Sequence, residues 1–173
     1  MKPLKTEVAF ATPWFEVVGK TMQPDEAPYY SLQLPDYSAV VALTDDQRVL
    51  IVRQYRPAVE RYTLELPSGI IDPGEAPVDS ACRELHEETG YGVARAEVLG
   101  PMYVDSGRMN NRIWACTATG ARPIAGHVPE PGIEVLVWTI DELWRATRAG
   151  EFALSVHVSV LMHAVLAGKL PLR

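Results

Sequence analysis

The chain has 173 residues but only two cysteines, Cys82 and Cys116, and no CxxC pair. That excludes a disulfide framework and suits a reducing compartment, so a cytoplasmic protein is expected, with both thiols read as small core hydrophobes. No apolar run approaches the roughly 20 residues that span a bilayer, so no membrane contact is expected. The opening Met1-Lys2-Pro3-Leu4-Lys5-Thr6-Glu7 is followed by no apolar stretch and does not read as a signal peptide. Positive charge is also scarce, with 16 Lys and Arg against 22 Asp and Glu, a net charge of −6. A nucleic-acid partner needs a basic patch or stripe, so none is expected. Repeats, low-complexity tracts and long linkers are missing too, which makes residues 1–173 one expected domain.

What is present is ordinary for a globular protein, 47% hydrophobic and 22% charged residues, except that the acids cluster. Carboxylates gathered in such a chain raise the question of a metal.

Strands are predicted at residues 14–22, 29–34, 37–43, 49–55 and 62–66, with Asp45-Asp46 marking a hairpin turn. The clearest helix runs over 77–89. Pro77 suits its first turn, Asp79 its positive end, and Gly90 lies just beyond it. Val78, Ala81, Cys82 and Leu85 recur on one face of it at helical spacing. Strands at 93–99, 112–119 and 135–140 follow, then helices near 141–148 and 156–167. This order implies an α+β fold, a mixed sheet with helices packed against it.

Away from that apolar face, Glu84, Glu87 and Glu88 fall within one arc of roughly 100°. Such an arc is often only a solvated face. Three close carboxylates repel one another, however, and a hard divalent cation reverses that cost. Arg83 adjoins them and can orient a carboxylate through its planar fork.

The residues around this helix carry a longer pattern. Gly69, five residues, Glu75, seven residues, Arg83-Glu84-Leu85, one residue, Glu87-Glu88, one residue and Gly90-Tyr91 resemble the Nudix box. Only Tyr91, in place of a bulky aliphatic residue, departs from it. Membership of the Nudix hydrolases would imply α/β/α layers, mixed sheets between helices, and a loop–helix–loop catalytic motif. It would also imply Mg²⁺, or Mn²⁺, held by Glu84 and Glu88, with Glu87 and the carbonyl of Ser68 contributing. Glu75 and Arg83 would hold the glutamates in place, and Gly69 is read as permitting a turn that brings backbone carbonyls to the metal.

Arg53-Gln54-Tyr55-Arg56-Pro57 and Leu64-Glu65-Leu66-Pro67-Ser68-Gly69 are similar to the ADP-ribose and nucleoside-diphosphate-sugar branch of that family. The resemblance implies hydrolysis of a nucleotide sugar to a nucleoside monophosphate and a sugar phosphate. Arg53 and Arg56 fall on opposite faces of a strand, so one of them, Arg56, is assigned to a phosphate. Glu65 either bonds a ribose hydroxyl or pairs with an arginine. Arg108, in the loop 105–111, either reaches the substrate or decorates the surface. The general base is assigned to Glu130, with Glu134 or a box glutamate as alternatives. The branch also implies a homodimer through the strands of residues 1–36, with Trp14, or Tyr30, stacking on the base. Two rivals stay open: a Nudix enzyme for another nucleotide, and a binding module that has lost catalysis.

Overall fold

The computed structural model describes residues 2–128 and 130–172. Its strands are β1 (Lys5–Ala11), β2 (Glu16–Thr21), β3 (Tyr29–Gln33), β4 (Tyr37–Thr44), β5 (Val49–Arg56), β6 (Arg61–Glu65), β7 (Ser68–Ile70), β8 (Tyr91–Gly92), β9 (Arg95–Tyr103), β10 (Arg112–Pro123) and β11 (Ile133–Trp138). The helices are α1 (Pro77–Thr89), α2 (Ile140–Arg148) and α3 (Ser155–Leu166).

β4 sets the architecture. Seven of its eight residues, Ser38 to Thr44, are buried, and Ala39 to Leu43 within them form an unbroken apolar run with both faces covered. Successive side chains alternate between the faces. Ala39, Val41 and Leu43 pack with residues of α2 and α3, whereas Val40 and Ala42 pack with Ala81 and Leu85 of α1. The central sheet therefore lies between helices on either side, as the α+β reading expected. It runs β11-β5-β4-β10-β8, with β6 on β5, β7 on β4 and β9 on β10. β4 and β10 are parallel, and the other pairs within it are antiparallel. A separate antiparallel sheet is built from β1, β2 and β3.

α1 occupies the expected residues. Pro77 stands in its first turn, and Gly90 ends it at φ 74° with its amide donating to the His86 carbonyl. Cys116 is buried, Cys82 half-buried, and both are free. No helix among the described residues is long and apolar enough to cross a membrane.

Several local expectations change, among them the strand expected at 135–140, which runs 133–138 because Thr139 caps α2. The strand expected at 14–22 begins only at Glu16, because Thr12 Oγ1 accepts from the Trp14 and Phe15 amides and folds residues 12–15 into a turn. β1 was missed: every one of its residues is exposed, so no alternation in burial marks it. β9 runs past Leu99 to Tyr103, since a bulge at Leu99 and Gly100 at φ 147° carry the ladder across Gly100-Pro101.

Candidate active site

β7 and α1 bring the acidic residues together. β7 pairs with β4 immediately before the helix, placing Ser68 and Gly69 beneath α1. A Cβ on Gly69 would lie 1.9 Å from the Glu84 carboxyl carbon. Gly69 is therefore required by close approach, not by the turn conformation read from the sequence. The neighbouring Ser68 amide donates to Glu88 Oε2 at 2.9 Å.

Arg83 organises the opposite edge. Its Nε and Nη2 donate to the two oxygens of Glu75, each at 2.9 Å, and Nη2 also donates to the Ile70 carbonyl. Nη1 reaches Glu84 Oε1 at 2.7 Å and Glu87 Oε2 at 3.0 Å. These bonds hold the Glu75 carboxyl down to about 2. Glu88 is in the contrary position. Burial pushes it up to about 8 against the Ser68 hydrogen bond, and the charges of Glu84 and Glu65 add to the rise. Burial raises Glu84 as well, with the charges of Glu87 and Glu130 acting in the same direction and Arg83 opposing.

A cleft of about 1120 Å³ opens beside this cluster. It reaches the box at Ser68, Gly69 and Ile70, while Trp14, Arg56, Glu65 and His157 line its other walls. Glu65, only 1% exposed, takes Arg56 Nε at 2.8 Å and Nη2 at 2.7 Å. Burial works against its ionisation, but the Arg56 bonds and the Thr63 hydroxyl at 2.6 Å outweigh it and lower its pKa. The pairing leaves three guanidinium N–H groups of Arg56 free of Glu65. Arg53, on the opposite face of β5, binds Glu134 at 2.9 Å and lies over the Tyr62 ring.

Trp14 thus enters the cleft although it sits in a turn, and it is 73% exposed. Arg108 does not. The Leu32 amide donates to the Arg108 carbonyl at 2.7 Å and draws that loop onto β3, where Arg108 stacks on Tyr29. It lines a second groove of about 490 Å³ together with Tyr30. Glu130 is exposed in the loop between β10 and β11, close enough to α1 for its charge to raise Glu84.

Two of the cleft residues that escaped the sequence reading touch Glu65 or the chain beside it. Thr63 shares a strand face with Glu65, so the two-residue spacing on β6 could have suggested it. His157 is a single buried histidine within the apolar α3. Its Nδ1 accepts from the Leu66 amide at 3.0 Å beneath Glu65, a contact between distant segments that no local pattern announces.

Residues 34–152, which span the cleft wall, the box and the helix, match the NUDIX domain family model. The chain belongs to the NUDIX domain family. It is 41% identical over 119 residues to the ADP-sugar pyrophosphatase of Mus musculus, covering 65% of this chain and 54% of that protein. It is 32% identical over 136 residues to the ADP-ribose pyrophosphatase of Mycobacterium tuberculosis, covering 75% and 66%. The chain thus spans about half to two thirds of the length of these curated relatives. A crystal structure of an ADP compounds hydrolase superposes with a TM-score of 0.80 at 22% identity over 98% of both chains, which shows that this NUDIX protein shares its fold.

The donor set fits a hard cation by chemistry: carboxylates clustered on one side of α1, Glu88 among them buried and short of positive partners. Among the described residues no three acidic, histidine or cysteine side chains converge on one point, because Glu84 turns to Arg83 and Glu88 to the Ser68 amide. Arg83 Nη1 engages only Oε1 of Glu84, which leaves Oε2 clear of Arg83 as the oxygen that could serve as a ligand.

Proposed function

We propose that the chain hydrolyses the diphosphate bond of a nucleoside diphosphate sugar, such as ADP-ribose or ADP-glucose. One observation carries the reading: the acidic edge of α1 abuts, through Ser68 and Gly69, a cleft walled by an arginine and an aromatic residue. Phosphate and a nucleobase need that combination of groups beside a cation. The named activities of the mouse and mycobacterial relatives point the same way.

In this reading Glu84 and Glu88, with Glu87 and the Ser68 carbonyl, hold divalent cations, Mg²⁺ or Mn²⁺. When bound, such a cation acidifies water and takes up charge developing on the phosphate oxygens. Arg83, itself fixed by Glu75, sets the direction of the glutamates. Arg56 binds the diphosphate through the donors Glu65 leaves free, and Trp14 stacks on the base. Glu130 accepts the proton of the attacking water. The water oxygen bonds to one phosphorus as the bridging P–O bond breaks, giving a nucleoside monophosphate and a sugar phosphate.

Residues 1–173 form one domain that pairs as a cytoplasmic homodimer. The surface supporting that pairing is β1, whose Val8 and Phe10 are 55% and 58% exposed, with Leu4 beside them at 65%. Arg108 lies outside the cleft of its own chain, so its contribution to substrate requires that second copy.

Incubation with ADP-ribose, ADP-glucose and GDP-mannose, with Mg²⁺ and again with EDTA, tests the reading by product analysis. Metal-dependent release of nucleoside monophosphate and sugar phosphate is expected. No turnover of any of the three would overturn the nucleotide-sugar assignment.

A further inference from the structure

The segment between β10 and β11, residues 124–132, carries Glu130, and its described residues are mostly exposed. Every described residue from 122 to 132 is exposed except His127, and Val128 is 83% exposed. Gly126 at φ 85° and Gly132 at φ 90° lie within it, with no atom near where a Cβ would stand. Its base is tied by the Ile124 amide, which donates to the Gly90 carbonyl at 2.8 Å, and its end closes with the Ile133 amide on the Glu130 carbonyl at 3.2 Å.

His127 is the exception for a visible reason. Its ring lies on Gly90, where a Cβ would come within 2.5 Å of it. It also meets His86 of α1, with ring centroids 5.2 Å apart and planes at 59°. His86 Nδ1 and His127 Nε2 are buried without hydrogen-bond partners among the described residues. The two imidazoles thus meet by packing and not through a hydrogen bond. α1 therefore offers a seat at its C-terminal end, made by a glycine without a side chain and the flat ring one turn earlier, and His127 fills it three residues before Glu130.

We propose that His127 is a positioning residue, which docks the otherwise exposed 124–132 loop on the end of α1 and thereby fixes where Glu130 stands relative to the acidic edge of that helix. The inference rests on Glu130 being the general base. It assigns to Gly90 a second purpose beside ending the helix, which is to leave room for the imidazole. Misplacing a reacting group by about 1 Å costs on the order of 100-fold in rate. Truncating His127 should therefore act on turnover and spare the cleft that binds substrate.

Four variants test this: His127→Ala, His127→Phe, Glu130→Gln and the double variant His127→Ala/Glu130→Gln. His127→Ala is expected to lower kcat about 10- to 100-fold with KM within about twofold of wild type. Amide hydrogen exchange should rise across 124–132 and stay unchanged in α1 and β4. His127→Phe keeps a flat ring on Gly90 and should restore both kcat and protection. Glu130→Gln alone should cost about 10²- to 10⁴-fold, and adding His127→Ala to it should change little further. If Glu130→Gln is impaired while His127→Ala matches wild type in kcat and exchange, the anchor is refuted and the base stands. The anchor is refuted equally if the losses of the two single variants multiply in the double variant. If Glu130→Gln turns over normally, the base assignment falls and the inference falls with it.

Discussion

Two arginines face two carboxylate sites in this protein, and they are matched differently. On the cleft wall Arg56 meets one buried acid, Glu65, through two hydrogen bonds, so charge is balanced one to one. On α1, Arg83 is divided among Glu75, Glu84 and Glu87, and Glu88 receives only the Ser68 amide. The consequence is visible in the acids themselves, with Glu65 lowered and Glu88 raised to about 8, burial being the first cause of the rise. A balanced pair makes a rigid wall that can present the remaining arginine donors. An unbalanced cluster leaves negative charge for which a cation is the natural complement.

The largest effect should come from the unbalanced side. Glu84→Gln or Glu88→Gln is expected to cut metal-dependent kcat by about 10³-fold, the upper range for one charge-stabilising group, with an unchanged far-ultraviolet dichroism spectrum. Near-normal turnover in either variant would dissolve the contrast between the two sites.

The next effect concerns His157 beneath Glu65. Burial lowers this histidine from 6.5 to about 4, so the unfolded chain takes up a proton between those values that the folded one refuses. Stability is then full above about pH 6.5 and falls as pH drops toward 4, by roughly 3 kcal/mol. His157→Asn, whose carbonyl can still accept from the Leu66 amide, should flatten that part of the acid-unfolding profile. Superimposable profiles for the two proteins would remove His157 from the account.

Smaller still is the cost of breaking the balanced pair. Arg56→Ala leaves Glu65 buried without its partner and should cost about 2 kcal/mol, below the range for fully buried pairs because Arg56 is half-exposed. Urea unfolding would show it, and Arg56→Ala/Glu65→Gln should recover part of the loss. The least effect is expected from Glu75→Gln, which loosens Arg83 on one side only. A loss of about 10-fold in kcat is typical of groups that orient ligands without binding them.

How far the sequence revealed this arrangement depends on distance along the chain. The box was legible because Gly69 to Gly90 is one local segment, with helical spacing inside it and a proline and a glycine at the helix ends. β4 was legible because burial on both faces made Ala39 to Leu43 an unbroken apolar run. β1 was not, since its exposed residues show no pattern, and β7 was read as a turn because it has only three residues. The cleft was only partly legible. Arg56, Glu65 and Trp14 were placed through resemblance, and the structure gathers all three while drawing Arg108 away onto β3. His157 under Glu65 and His127 on Gly90 depend on packing between remote segments, which spacing does not encode.

The most direct test of the contrast is a Mn²⁺ titration followed by electron paramagnetic resonance on wild type, Glu88→Gln and Glu65→Gln. Glu88→Gln should lose tight Mn²⁺ binding while Glu65→Gln binds as wild type does. Wild-type affinity in Glu88→Gln, or its loss in Glu65→Gln, would contradict the assignment of α1 as the cation side and the Arg56 wall as the substrate side.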